Sequence, residues 1–172
     1  MIYQLSIEQE CALQQFDNGD NLFITGPAGT GKTTLVKEFV TSATRRGKRI
    51  QVTAMTGCAA ILLGKGSRTI HSWSGIKIDN GTVADILHRV LKNDKNFANW
   101  ETCDILHVDE VSMMSQKMFE ILDNLGRSIR NRDVPFGGLQ VIFTGDFYQL
   151  PPIGKVSDIG SDKFCFESPN WH

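Results

Sequence analysis

Gly26-Pro27-Ala28-Gly29-Thr30-Gly31-Lys32-Thr33 decides how this chain is read. The run fits G-x-x-x-x-G-K-S/T, a pattern that needs a strand before it and a helix after it. The sequence offers both. Leu22-Phe23-Ile24-Thr25 is a short apolar strand closed by Gly26, and Thr33 to Arg46 reads as a helix. Glycines let backbone N–H groups curl around phosphate oxygens, and the helix N-terminus adds partial positive charge. Gly26, Pro27, Ala28, Gly29, Thr30, Gly31, Lys32, Thr33 and Thr34 are thus the expected nucleotide-binding run. Lys32 would reach the β- and γ-phosphates, and the Thr33 hydroxyl would face Mg2+.

Outward from this loop, short apolar runs alternate with helical stretches. Ile50-Gln51-Val52-Thr53, Ile105-Leu106-His107-Val108 and Gln140-Val141-Ile142-Phe143-Thr144 read as further strands. Met114, Met118, Leu122, Leu125 and Ile129 recur at helical spacing and form one apolar face. Val83, Ile86, Leu87, Val90 and Leu91 give a shorter amphipathic helix with Thr82 as its N-cap. Residues 67–100 are otherwise irregular, with turns at Ser74-Gly75 and Asn80-Gly81. Strands alternating with helices predict an α/β domain over residues 1–172, a parallel sheet with helices on both faces. Ligands of such sheets bind at the carboxyl ends of the strands.

The remaining chemistry falls at those ends. Asp109-Glu110 closes the apolar strand 105–108. Asp109 would hold Mg2+, and Glu110 could polarise an attacking water. Gly145-Asp146-Phe147-Tyr148-Gln149-Leu150-Pro151-Pro152 follows the last strand. Gln149 could bond a γ-phosphate oxygen or the attacking water, and Asp146 could cap a turn. His107, inside a central strand, needs partners for both ring nitrogens or costs stability. Ser6 and Gln9 match a capping box.

Composition narrows the setting. The chain has 172 residues and a net charge of −1, so any grip on nucleic acid must come from a local surface. Arg45-Arg46-Gly47-Lys48-Arg49, the densest basic run, reads as a solvated helix end. Cys11, Cys58, Cys103 and Cys165 lie far apart, which predicts buried free thiols and not a zinc site or disulfide framework. No apolar run approaches the ~18 residues of a membrane span. Residues 1–4 show no secretory pattern, so an intracellular protein without membrane partners is expected.

Taken together, the motifs resemble the Pif-type (petite integration frequency) DNA helicases, in the superfamily-one branch that also holds RecD-like enzymes. The resemblance covers nearly the whole chain. It runs through Leu5-Ser6 with Gln9 and Ala12-Leu13, the run 26–33, Thr56-Gly57 with Ala59-Ala60, Thr69-Ile70-His71-Ser72 and Val108 to Met113. It continues through Pro135-Phe136-Gly137-Gly138-Leu139-Gln140 into Gly145-Asp146 and Gln149-Leu150-Pro151-Pro152, and ends on Phe166-Glu167-Ser168 and Trp171. His107 departs from it, standing where the family has an aliphatic residue.

The resemblance implies a RecA-like P-loop NTPase domain, the first of two motor domains, with the second outside residues 1–172. Gln9 would read the adenine edge. Lys32, Glu110 and Gln149 would be catalytic, and Thr33 and Asp109 would hold Mg2+. Thr56, Gly57, Thr69, His71 and Ser72 would line a single-strand DNA path, with His71, Trp73, Phe147 or Tyr148 as stacking faces. ATP would drive five-prime to three-prime movement and unwinding of duplex DNA, in the repair, recombination or telomere roles that relatives fill. Arginine fingers belong to the second domain, and their loss costs about 10³–10⁵ in turnover in P-loop enzymes. Residues 1–172 alone are therefore expected to bind nucleotide, hydrolyse it slowly and unwind nothing. The alternatives are a nucleotide-gated DNA- or protein-binding module, or a small-molecule phosphotransferase, which would leave the run 145–152 without a purpose.

Overall fold

The computed structural model describes residues 4–76, 82–154 and 158–171. The turn expected at Asn80-Gly81 lies outside them. Among the described residues five strands form one sheet: β1 (Leu22–Thr25), β2 (Ile50–Ala54), β3 (Arg68–Thr69), β4 (Ile105–Asp109) and β5 (Gln140–Gly145). Their spatial order is β1-β5-β4-β2-β3, and every pairing is parallel. Among the described residues seven α-helices accompany them: α1 (Ile7–Asn18) before β1, and α2 (Lys32–Arg45), α3 (Gly57–Leu63), α4 (Ile70–Ser74), α5 (Val83–Leu91), α6 (Asp94–Thr102) and α7 (Gln116–Arg130) between the strands.

The expected fold class is what the chain adopts. Successive strand residues point to opposite faces, and the core divides accordingly. Ile105 and Ile142 pack with Phe16 of α1 and with Leu35, Phe39 and Ala43 of α2. Leu106, Val108, Val141 and Phe143 pack into the larger core on the other face, with Trp73, Trp100, Leu122 and Leu125. The four strands read from sequence match within a residue, as does α2.

Local signals account for the helix ends. Ser6 and Gln9 close the expected capping box on α1, and Thr82 caps α5 with Asp85 in the reciprocal position. The basic run after α2 is structural, as expected. Gly47 takes φ 66° beyond the C-cap Arg46. Arg46 pins α2 to α1: it donates to the Asp17 carbonyl at 2.8 Å and lies 5.0 Å over the Phe16 ring.

Three expectations need correction. Met114 is buried but stands outside α7, because Ser115 takes an extended conformation and caps the helix through Met118 N–H. Only Cys103 and Cys165 are buried, with burial pushing their thiols up to about 11 and about 12; Cys11 and Cys58 are exposed. The irregular stretch holds β3, α4 and the start of α6, short elements without an extended periodic pattern. Among the described residues no helix is long and apolar enough to cross a membrane.

Candidate nucleotide and nucleic-acid site

Three neighbouring strands, β1, β5 and β4, each end in a polar loop at the same edge of the sheet. The first loop carries the run Gly26 to Thr33. Gly26 N–H donates to the Gly145 carbonyl at 3.3 Å, which ties it to the end of β5. Gly31 caps α2 in the left-handed region, φ 85°, with no side-chain cap. The first-turn amides of α2 therefore face outward without a side-chain acceptor, the arrangement that suits an anion. Lys32 folds back, and its ammonium donates to the carbonyls of Gly26 and Pro27, the latter at 2.9 Å. Thr30 Oγ1 donates to the Pro27 carbonyl at 2.9 Å and stiffens the loop.

Gln9 sits against this loop. Its Oε1 accepts from Ser6 N–H at 3.0 Å, and its Nε2 donates to the Thr30 carbonyl at 3.3 Å. One amide thus caps α1 and touches the phosphate loop. A Cβ at Gly31 would lie 2.5 Å from Gln9 Nε2, so only glycine leaves room for this contact.

At the end of β4, Asp109 Oδ1 accepts from the Thr144 hydroxyl at 2.6 Å. Glu110 follows in the left-handed region, φ 57° and ψ 40°. For a residue with a side chain that conformation costs roughly 1–2 kcal/mol, and such strain gathers where a side chain must be aimed. Burial pushes the Glu110 carboxyl above its ordinary value, as do the charges of Asp109 and Asp146, while Lys32 opposes them. Lys32 also lowers the Asp146 carboxyl, so the lysine after β1 acts on the acidic groups at the ends of β4 and β5.

Asp146 begins the loop after β5 and caps it, as expected. Its Oδ1 accepts from Tyr148 N–H at 3.1 Å and its Oδ2 from Gln149 Nε2 at 3.0 Å. These bonds, led by that from Gln149, hold its carboxyl below the usual range. Gln149 itself is exposed at the same edge. Gly145 permits the close approach of the segment after Glu110, since a Cβ there would meet Val111 N at 3.0 Å.

The other candidates gather at the ends of β2 and β3, which pair as Ala54 with Thr69. Thr56 caps α3 through Ala59 N–H, and Thr69 caps α4 through Ser72 N–H, each at 3.2 Å. Capping uses an oxygen lone pair and leaves each hydroxyl proton free to donate. Gly57 and Ser72 are exposed beside them, and His71 is half-buried, which lowers its pKa. Trp73 is not a stacking face. It is buried against Trp100, with ring centroids 4.7 Å apart. Phe147 is occupied in a cluster with Phe23, Phe164 and Phe166, whereas Tyr148 is fully exposed.

Sequence reading treated Thr144 only as part of a strand. Parity was the available signal. Thr144 shares a sheet face with Ile142, and His107 and Asp109 share theirs with Ile105, so both strands turn polar toward α2 near their ends. His107 is fully buried, and burial, partly opposed by the Asp109 charge, pushes its pKa down to about 4. An unfolded histidine titrates near 6.5. The stability linked to this ring is full above about pH 6.5 and is lost as pH falls through about 4. His107→Leu should therefore flatten the acid side of the stability curve. Urea midpoints at pH 7 and pH 4.5 would show it, and an equal acid loss in both proteins would refute it.

Comparison with known proteins agrees with this geometry. Residues 4–172 match the model of the family described as PIF1-like helicase. The chain is 41% identical over 169 residues to the ATP-dependent DNA helicase PIF1 of Saccharomyces cerevisiae, covering 97% of this chain and 19% of that protein. The crystal structure of Pif1 helicase from Candida albicans superposes with a TM-score of 0.89 at 38% identity, covering 99% of this chain and 38% of that one. A Bacteroides Pif1 in complex with ADP-AlF3 and ssDNA gives a TM-score of 0.71 at 30% identity, over 97% of this chain and 39% of that one. The chain thus spans about a fifth of the length of the curated relative it matches.

Proposed function

We propose a function from one premise: this chain belongs to the family of PIF1-like helicases. It is the ATP-binding motor domain of a DNA helicase. With a second RecA-like domain it hydrolyses ATP, moves five-prime to three-prime along single-stranded DNA and unwinds duplex DNA. The observation that carries this reading is the placement of Lys32, Asp109, Glu110 and Asp146 at and just beyond the ends of three adjacent parallel strands. Beside it lies the hydroxyl-bearing edge of β2 and β3, and a relative of the same fold holds a nucleotide analogue and ssDNA together.

Lys32 would leave its two carbonyls for the β- and γ-phosphates, which the α2 amides also bind. Thr33 and Asp109 offer a hydroxyl and a carboxylate oxygen, the hard donors that Mg2+ prefers. Asp109 has Oδ1 engaged by Thr144, which leaves Oδ2 for the cation. When bound, the ion neutralises phosphate charge. Glu110 takes a proton from water as the water oxygen attacks the γ-phosphorus. The bond to the β-γ bridging oxygen breaks, and ADP departs. Gln149, anchored on Asp146, reports the γ-phosphate toward Thr56, Gly57, Thr69, His71 and Ser72. Gln9 reaches the adenine edge. A nucleotide-gated binding module would leave the strained Glu110 without a task.

Binding of a fluorescent ATP analogue with Mg2+ tests the site. Lys32→Ala should weaken affinity about ten- to a hundredfold, because charge-assisted hydrogen bonds contribute roughly 1.5–3 kcal/mol. Single-stranded DNA should shift the affinity of the wild type. Binding indifferent to Lys32 would refute the phosphate assignment, and binding indifferent to DNA would refute coupling within this domain.

A further inference from the structure

We infer that His107 is a positioning residue for Asp109, acting through the Thr144 hydroxyl. This rests on the reading of Asp109 as the carboxylate that holds the nucleotide's metal. His107 Nε2 lies 2.9 Å from Thr144 Oγ1, and Thr144 Oγ1 lies 2.6 Å from Asp109 Oδ1. A hydroxyl has one proton to give. An ionised carboxylate oxygen only accepts, so that proton goes to Asp109. Thr144 Oγ1 must then accept from the ring, which places the neutral imidazole's proton on Nε2. The reverse tautomer would set two lone pairs against each other at one of these short contacts.

The other ring nitrogen shows what the arrangement costs. Nδ1 is buried and has no hydrogen-bond partner among the described residues. Its cross-strand neighbours are Val52 and Ile142, and the strand around it is apolar. An aliphatic side chain would fill this place without an unmet polar atom. A histidine here brings one thing that an aliphatic residue lacks, a donor aimed at Thr144.

That donor has a consequence at the metal-binding edge. A threonine hydroxyl alone can rotate its proton toward several acceptors. With its lone pair engaged by Nε2–H, it is committed to Asp109 Oδ1. The carboxylate is fixed in rotation and keeps Oδ2 for a cation. Because the ring is neutral, the relay orients Asp109 without cancelling its charge, as a lysine or arginine would. Groups in the shell behind a metal ligand commonly change metal affinity ten- to a hundredfold when removed.

The experiment is a Mg2+ titration of fluorescent ATP analogue binding by the intact chain, comparing wild type with Asp109→Asn, Thr144→Val, His107→Leu and His107→Gln. Asp109→Asn should abolish the Mg2+-dependent part. Thr144→Val and His107→Leu should raise the half-saturating Mg2+ concentration about tenfold while leaving Mg2+-free binding unchanged. His107→Gln should restore the wild-type value, since glutamine Nε2 sits the same number of bonds from Cα as histidine Nε2. Nitrogen-15 NMR of the wild-type ring reads the tautomer without any nucleotide, and should show a protonated Nε2 and a bare Nδ1. A ring protonated on Nδ1 overturns the inference. So does wild-type Mg2+ dependence in His107→Leu, or in Thr144→Val should the leucine variant not fold, when Asp109→Asn has lost it. Unchanged Mg2+ dependence in Asp109→Asn instead overturns the metal reading beneath it.

Discussion

Replacing Glu110 by Gln is expected to slow ATP hydrolysis about 10²–10⁴-fold, the usual worth of a positioned general base. Nucleotide affinity should stay near the wild-type value, because the groups proposed to bind the phosphates are Lys32 and the α2 amides. Two features of Glu110 support this. Its backbone holds an unfavourable left-handed conformation, and its carboxyl pKa is raised, first by burial. A raised pKa makes a carboxylate a stronger base near neutral pH. It also means that hydrolysis should fade on the acid side at a higher pH than an ordinary glutamate would give. The measurement is ATP turnover against pH in this chain joined to the second RecA-like domain proposed above. A loss below about tenfold in the variant would exclude Glu110 as the base.

Gly137→Ala should cost about 3 kcal/mol of stability or more. Gly137 takes φ 64°, and an added Cβ would run into the Gly126 carbonyl, 2.8 Å from its carbon and 2.9 Å from Arg130 Cβ. The left-handed backbone accounts for about 1–2 kcal/mol and the overpacking for about 1–3 more. The contact is mutual, since a Cβ on Gly126 would meet the Phe136 carbonyl carbon at 2.6 Å. Asp123 Oδ1 accepts from Phe136 N–H at 2.7 Å, and Arg130 Nε donates to the Gly137 carbonyl at 2.9 Å, so the segment has little freedom to retreat. For domains of this size ~1 kcal/mol moves the melting temperature by roughly 2–4 °C, so a fall on the order of 10 °C is expected. Gly57→Ala, which adds a Cβ to open space, should change stability by less than about 0.5 kcal/mol. Similar melting temperatures for the two variants would refute the packing argument.

The parts of the molecule legible in sequence are those where spacing maps onto geometry. Gly26 to Thr33 is local, so its strand, loop and helix could be read directly. Asp109-Glu110 follows an apolar run whose end marks the sheet edge. Ser6 with Gln9 and Thr82 announce helix starts by residue type. The stretch from Gly57 to Thr102 was harder, because α4 has five residues and α3 seven, too few for periodicity to show. In α4, Ile70 and Trp73, three residues apart and both buried, are the trace of an inward face. That spacing also explains why Trp73 serves the core and not a ligand. The left-handed backbone of Glu110 has no sequence signature, since glutamate does not favour it. Nor could the meeting of His107, Thr144 and Asp109 be seen, because it depends on the register of β4 against β5.

If nucleotide binds as proposed, the folded-back Lys32 makes its entry an exchange reaction. Its ammonium already has acceptors, the carbonyls of Gly26 and Pro27. An arriving phosphate must outcompete them and does not simply fill a waiting positive charge. A lone weak anion returns little for that displacement, whereas a polyphosphate spanning the α2 amides and the lysine at once returns much more. The loop's own carbonyls thus act as a resident competitive ligand. On that reading, a small lone anion gains less from the loop than a polyphosphate does.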